Sequence, residues 1–179
     1  MNEPKVILYI SMSLDGFIAT EDDGLSWLDP MDETGENYGY DDLIARVDKY
    51  ILGRKTYDVV LKLTGGDFPQ AKQFDCYILS RTPRPNENGV TFYSGNLEEL
   101  ISNLKGKGGK NIYCDGGGEV VSQLMDKNLI DEYIVSVIPV VLGRGKRLFP
   151  GSDLQQKLHA QEAKTFKSGL VQLHYIREN

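Results

Sequence analysis

Residues 111–125 read Asn-Ile-Tyr-Cys-Asp-Gly-Gly-Gly-Glu-Val-Val-Ser-Gln-Leu-Met, and this stretch restricts the fold more than any other. Ile112, Tyr113 and Cys114 form a short apolar run of strand type, the glycines break it, and Val120, Val121, Leu124 and Met125 recur at helical spacing. The pattern predicts a strand, a glycine turn and a helix. Residues without a Cβ let the backbone approach a bound group, and the free N–H groups and positive dipole end of the following helix attract anions such as phosphate. Asp115, Gly116, Gly117, Gly118, Glu119 and Val120 are therefore expected to cradle a cofactor; a plain turn is the competing reading. The adjacent glycines do not match the Gly-x-Gly-x-x-Gly dinucleotide fingerprint, so an ordinary Rossmann domain is not expected.

Apolar strand runs at 5–11, 50–52, 75–79 and 90–93 alternate with helical patterns at 41–48, 55–62 and 97–105. That alternation predicts an α/β fold with a mixed, mostly parallel sheet flanked by helices. The β-branched run at 131–141 should be bent or ended by Pro139, and 163–176 reads as a hairpin about Ser168 and Gly169 that adds an antiparallel edge. A length of 179 residues, 40% hydrophobic and 26% charged, suits one soluble domain over 1–179. The formal net charge of -6 argues against nucleic acid or an anionic membrane as a general partner. No apolar stretch approaches the roughly 20 residues a spanning helix needs, and a cytoplasmic location is expected. Cys76 and Cys114 each fall inside a strand run, where they read as reduced core residues, and no zinc site is expected.

Two more strand ends carry phosphate-friendly chemistry. The run at 50–52 leads into Gly53, Arg54, Lys55 and Thr56, and the run at 75–79 ends at Leu79 before Ser80 and Arg81. In open α/β sheets ligands occupy the crevice outside the carboxyl ends of strands. Arg54, Lys55 and Arg81 suit a ribose 2′-phosphate, which favours NADPH over NADH. Both histidines, His159 and His174, lie in the tail, so a Ser-His-Asp or His-metal mechanism is poorly supported. Acid–base work then falls to carboxylates beside a cofactor that carries the hydride itself. Asp15, at the Asp15-Gly16 turn, is the first candidate and Asp29 the second. The acidic loop at 20–40 around the lone Trp27 reads as a lid, a substrate wall or a solvated connector.

The order of these pieces resembles the dihydrofolate reductase-like superfamily, and most closely the C-terminal reductase domain of bacterial riboflavin biosynthesis proteins. The resemblance rests on 13–19 (Ser-Leu-Asp-Gly-Phe-Ile-Ala), 26–29 (Ser-Trp-Leu-Asp), 51–57 (Ile-Leu-Gly-Arg-Lys-Thr-Tyr), 79–81 (Leu-Ser-Arg), 116–119 (Gly-Gly-Gly-Glu) and the 138–149 run. It implies NADPH as cofactor and often a homodimer. It also implies that Ile18, Ala19, Gly53, Arg54, Lys55, Thr56, Leu79, Ser80, Arg81 and the glycine turn contact the cofactor. Asp15 and Asp29 would then serve catalysis, and Trp27 and Tyr57 would border the substrate. The substrate would be a small planar heterocycle or carbonyl compound, as in 5-amino-6-(5-phosphoribosylamino)uracil reductases or dihydrofolate reductases. The chain departs from folate reductases in the longer interval from Trp27 to Gly53, where Asp29, Asp32, Glu33, Asp41 and Asp42 compete for the ring-binding carboxylate. The zinc deaminase signature of the bifunctional riboflavin enzyme is not matched. The rival from another class is a module that binds a nucleotide or NADPH without turnover.

Overall fold

A computed structural model describes residues 3–178. Its elements follow the order β1 (Val6–Ser13), β2 (Phe17–Ala19), a 3-10 turn (Ser26–Leu28), α1 (Asp29–Asp32), α2 (Tyr40–Ala45), β3 (Val47–Gly53), α3 (Arg54–Leu63), β4 (Asp75–Leu79) and β5 (Val90–Tyr93). There follow α4 (Leu97–Gly106), β6 (Asn111–Gly116), α5 (Gly118–Met125), β7 (Glu132–Ile138), β8 (Lys146–Arg147), β9 (Leu158–Thr165) and β10 (Val171–Arg177). The main sheet has eight strands in the order β5-β4-β3-β6-β1-β7-β10-β9, with β2 and β8 paired apart from it. The pairs from β5 across to β7 are parallel, and β10 and β9 complete the sheet antiparallel.

The unbroken apolar runs serve a sheet covered on both faces. Along β1, Val6 and Leu8 join Ile101, Leu104, Val121 and Leu124 in one layer, while Ile7 joins Tyr50, Leu52, Tyr57 and Phe68 in the other. Cys76 and Cys114 are buried and unpaired within these layers, as expected.

Three boundaries differ from the sequence pattern. The helix expected over 41–48 ends at Ala45, because Val47 is better placed in β3, where it is 3% exposed and pairs with Asn111. Gly116 belongs to β6 and Gly118 opens α5, so the turn is shorter than three glycines. The loop at 20–40 contains the 3-10 turn and α1. Pro139 ends β7, and the hairpin turns through 166–170.

Candidate active site

The sheet order sets the ends of β4, β3, β6 and β1 side by side, and the residues that follow them border one cleft of about 1140 Å³. This is ample for a dinucleotide with a second small molecule. The cleft is lined by Gly53, Arg54, Lys55 and Thr56 after β3, by Leu79, Ser80 and Arg81 after β4, and by Asp115, Gly117, Gly118, Glu119 and Val120 around the β6 turn. Ile18 and Ala19 of β2 close it. Gly116 alone of the expected cradle stays behind the surface, where a Cβ would sit 3.0 Å from Ile10 Cδ1.

Two of the helices begin at this cleft without a side-chain cap. α4, whose first residue Leu97 also lines the cleft, is capped by Asn96, whose Oδ1 accepts from the Glu99 N–H at 3.1 Å. α3 and α5 instead follow Gly53 and Gly117, which have no side chain to offer, so their first N–H groups remain for a ligand. Thr56 Oγ1 accepts from Gly117 N–H at 3.1 Å and fastens the two termini together. Of the expected cations, Arg54 pairs with Asp58, which also faces Arg84. Lys55 Nζ reaches Glu119 Oε1 at 2.8 Å, a contact that holds the Glu119 carboxyl below its ordinary range. Arg81 is exposed and has no carboxylate partner among the described residues.

The candidate acids are redistributed. Asp15 does not line the cleft. Its carboxylate accepts from Ser13 Oγ at 2.6 Å and from the N–H groups of Leu142 and Gly143 at 3.1 and 2.7 Å, which with Ser13 foremost hold it down to about 2. A carboxyl so stabilised as the anion is a poor proton donor; it ties the β1 turn to the 139–145 loop. Asp15→Ala should raise amide exchange at Leu142 and Gly143 by about tenfold or more, since each loses its acceptor. With the folded pKa depressed, this tie contributes above the ordinary Asp value and is lost as pH falls through about 2.

Asp29 is exposed at the start of α1 and away from the cleft, as are Glu33, Asp41 and Asp42. The side chain of Asp32 lies outside the described residues. Trp27 is half-buried and does not line the cleft, although Leu25 and Leu28 on either side of it in sequence do, and its indole N–H is enclosed without an acceptor among the described residues. Tyr57 is not brought to the cleft either. Helical spacing turns it inward, where it is fully buried against Phe68 and Phe92, with its hydroxyl accepting from Asn88 Nδ2 at 3.2 Å.

Three carboxyls line the cleft: Glu119 pairs with Lys55, Asp23 pairs with Lys146, and the third is Asp115. On β6 it shares a face with Tyr113, two residues earlier, and Tyr50 of β3 lies opposite Tyr113 in register. Tyr50 donates to Asp115 Oδ2, and Tyr113 donates to Oδ1 at 3.0 Å. Enclosure by protein pushes this carboxyl up to about 6, against the opposing pull of the two phenols. The phenols themselves are pushed well above 10, chiefly by burial and then by the carboxylate. Tyr9 adds a third ring, edge-on to Tyr113 at 6.1 Å, and also lines the cleft. The tyrosines escaped the sequence reading; the alternation Tyr113-x-Asp115 was the one available signal.

Over the cleft runs a strap in which β2 pairs with β8. Arg147 lies 4.8 Å above the Phe17 ring, and Lys146 pairs with Asp23. The strap crosses the start of α5 so closely that a Cβ on Gly118 would meet the Arg147 carbonyl oxygen at 2.2 Å.

The sequence model of the family described as the RibD C-terminal domain matches residues 4–172. The uncharacterized protein YwjB of Bacillus subtilis (strain 168) is 42% identical over 176 residues, covering 98% of this chain and 99% of YwjB. A crystal structure of a candidate riboflavin biosynthesis protein from Shewanella sp. PV-4 superposes with a TM-score of 0.86 at 29% identity, covering 98% and 99% of the two chains. Dihydrofolate reductase from Enterococcus faecalis, solved with NADP(H), shares the fold at a TM-score of 0.69 and 18% identity, covering 98% of this chain and 97% of its own.

Proposed function

The chain belongs to the RibD C-terminal domain family, and on that premise we propose that it is an NADPH-dependent reductase of a small planar heterocyclic or carbonyl substrate. The observation that carries the reading is a single cleft bordered by two uncapped helix N-termini, five basic side chains and the half-buried Asp115 carboxyl. The residues present fit a phosphorylated dinucleotide. The bare N–H groups of α3 and α5 would hold its diphosphate, and Gly117 leaves room where a Cβ would crowd Thr56 Oγ1 at 3.2 Å. Bound there, NADPH supplies the hydride.

The chain's own residues do the rest. Ile18, Leu25 and Leu28 give the cleft apolar surface against which a flat substrate would lie. Asp115 holds a proton near pH 6 at its Oδ atoms, and Tyr50 and Tyr113 fix the orientation of that carboxyl. It replaces Asp15 and Asp29 as the proposed acid.

Arg81 replaces Arg54 as the principal reader of the 2′-phosphate, because Arg54 is already shared with Asp58. Arg81→Ala should raise KM for NADPH by about 10- to 100-fold, the worth of a charge-assisted contact, and move KM for NADH by little. Arg54→Ala should have the smaller effect. Equal losses with both cofactors would remove the phosphate assignment.

The first test is titration with NADPH and NADH, read by Trp27 fluorescence and thermal shift, followed by cofactor oxidation with pyrimidines, pterins and carbonyl compounds. Binding without oxidation across those classes would favour the non-catalytic module. The proposal takes 1–179 as one domain and includes a homodimer, supported by the exposure of β9 along its whole length at the sheet's edge. No helix among the described residues is long and apolar enough to cross a membrane, and the proposal keeps the cytoplasm as the compartment.

A further inference from the structure

Resting on the reductase reading, we propose that Asp58 is a specificity-determining residue that holds Arg54 back from the cofactor's 2′-phosphate, and that Arg84 limits this hold. Arg54 lines the cleft, whereas Asp58 and Arg84 do not. Both therefore act on the cofactor through Arg54.

Arg54 is the first residue of α3 and Asp58 lies one turn further on, so the two side chains meet on one helix face. The pair stands in the unfavourable sense along the helix. A cation at the first position opposes the helix dipole, and an acid placed four residues after its base gains less than one placed before it. Helix stability therefore does not account for the pair. An arginine beside the bare N–H groups that open α3 instead adds positive charge where an anion would sit, and Asp58 cancels part of it. The two side chains are 41% and 43% exposed, so the pair is solvated and a phosphate can compete for Arg54.

Asp58 is not held by Arg54 alone. Its Oδ1 lies 3.9 Å from Arg84 Nη1. Arg84 is fixed independently, because its Nη2 donates to Glu87 Oε1 at 3.2 Å and its guanidinium stands 4.6 Å from the centre of the Phe92 ring. Phe92 in turn packs edge-on against the buried Tyr57, the residue before Asp58 in α3. Arg54, Asp58, Arg84 and Glu87 thus form a chain of alternating charge that leads from the cleft to the turn at 84–89. When Arg54 turns to a phosphate, Arg84 stays beside Asp58 and weakens the repulsion between carboxylate and phosphate. Without Arg84, Arg54 would be the one cationic partner left to Asp58 among the described residues, and the hold on it would tighten.

The test is calorimetric titration of the full chain with NADP+ and NAD+, so that binding is read without turnover. Asp58→Asn keeps the shape and removes the charge; it should tighten NADP+ by about three- to tenfold and change NAD+ by less than about twofold. Arg84→Ala should act in the opposite sense, weakening NADP+ by about threefold with NAD+ again unmoved. In an Arg54→Ala background, Asp58→Asn should lose most of its gain, since the two residues are coupled. Unchanged NAD+ affinity shows that each variant is folded. Weaker or unaltered NADP+ binding in Asp58→Asn, equal shifts for the two dinucleotides, no loss in Arg84→Ala, or a full gain without Arg54 overturns the proposal. Absence of binding of either dinucleotide to the unaltered chain would instead remove the reductase reading on which it rests.

Discussion

Asp115→Asn should lower kcat by about a hundred- to ten-thousand-fold, the range for loss of a positioned general acid, while leaving NADPH affinity within about threefold. Asparagine keeps the shape and still offers an oxygen to one phenol, but it has no proton to give. The wild-type rate should fall as pH rises through about 6, where the carboxyl loses its proton, and the residual rate of the variant should lack that limb. Stability gives an independent reading of the same group. Its folded pKa lies above the ordinary Asp value, so the proton is held more tightly in the folded chain. The resulting stabilisation is complete below about pH 4 and lost as pH rises through about 6. At pH 8 the wild type therefore holds an enclosed anion that Asn removes, and the variant should be more stable there by up to about 3 kcal/mol, with no gain at pH 4. A variant with normal turnover and an unaltered pH profile would reduce Asp115 to an anchor for Tyr50 and Tyr113.

The frame of this site was readable because it is built from local signals. Apolar runs ending in Gly53, Leu79 and the 116–118 glycines announced strand ends, and parallel α/β topology brings such ends to one edge. The chemistry was not readable in the same way. Asp115 owes its raised pKa to an enclosure that no local pattern encodes, and its orientation to Tyr50, 65 residues away in sequence. Asp15 carries a strong turn signal, yet its carboxylate is captured by Leu142 and Gly143, more than 120 residues on. Tyr57 follows directly on the Arg54-Lys55-Thr56 motif, but one further step around α3 points it into the core. Val47 fits the last turn of a helix by spacing; β3 claims it because its strand partner, Asn111, lies far along the chain. In each case a long-range contact decided what the local sequence left open.

The same dependence on distant backbone makes Gly118→Ala the most damaging small substitution expected in the cleft. Gly118 is the first residue of α5, and its added methyl would stand 2.2 Å from the Arg147 carbonyl oxygen and 3.3 Å from that of Leu148. Both neighbours are backbone, so no side-chain rotation relieves the contact. Either α5 withdraws from the cleft or the β8 strap lifts, and the strap is held by Leu148 N–H donating to Gly16 O at 3.0 Å and by the Lys146 pair with Asp23. The expected cost is about 2–4 kcal/mol of stability, typical of overpacking against fixed atoms. NADPH affinity should fall with it, because the displaced N–H groups are those proposed to meet its diphosphate. Gly106→Ala supplies the control. Gly106 ends α4 with open space where its Cβ would be, so the same added methyl should be neutral or stabilise by roughly 0.5–1 kcal/mol. Thermal unfolding of the two variants separates a steric cause from a general intolerance of alanine. Equal melting temperatures would mean that the strap yields freely, and the close crossing over α5 would then have no part in holding the cofactor.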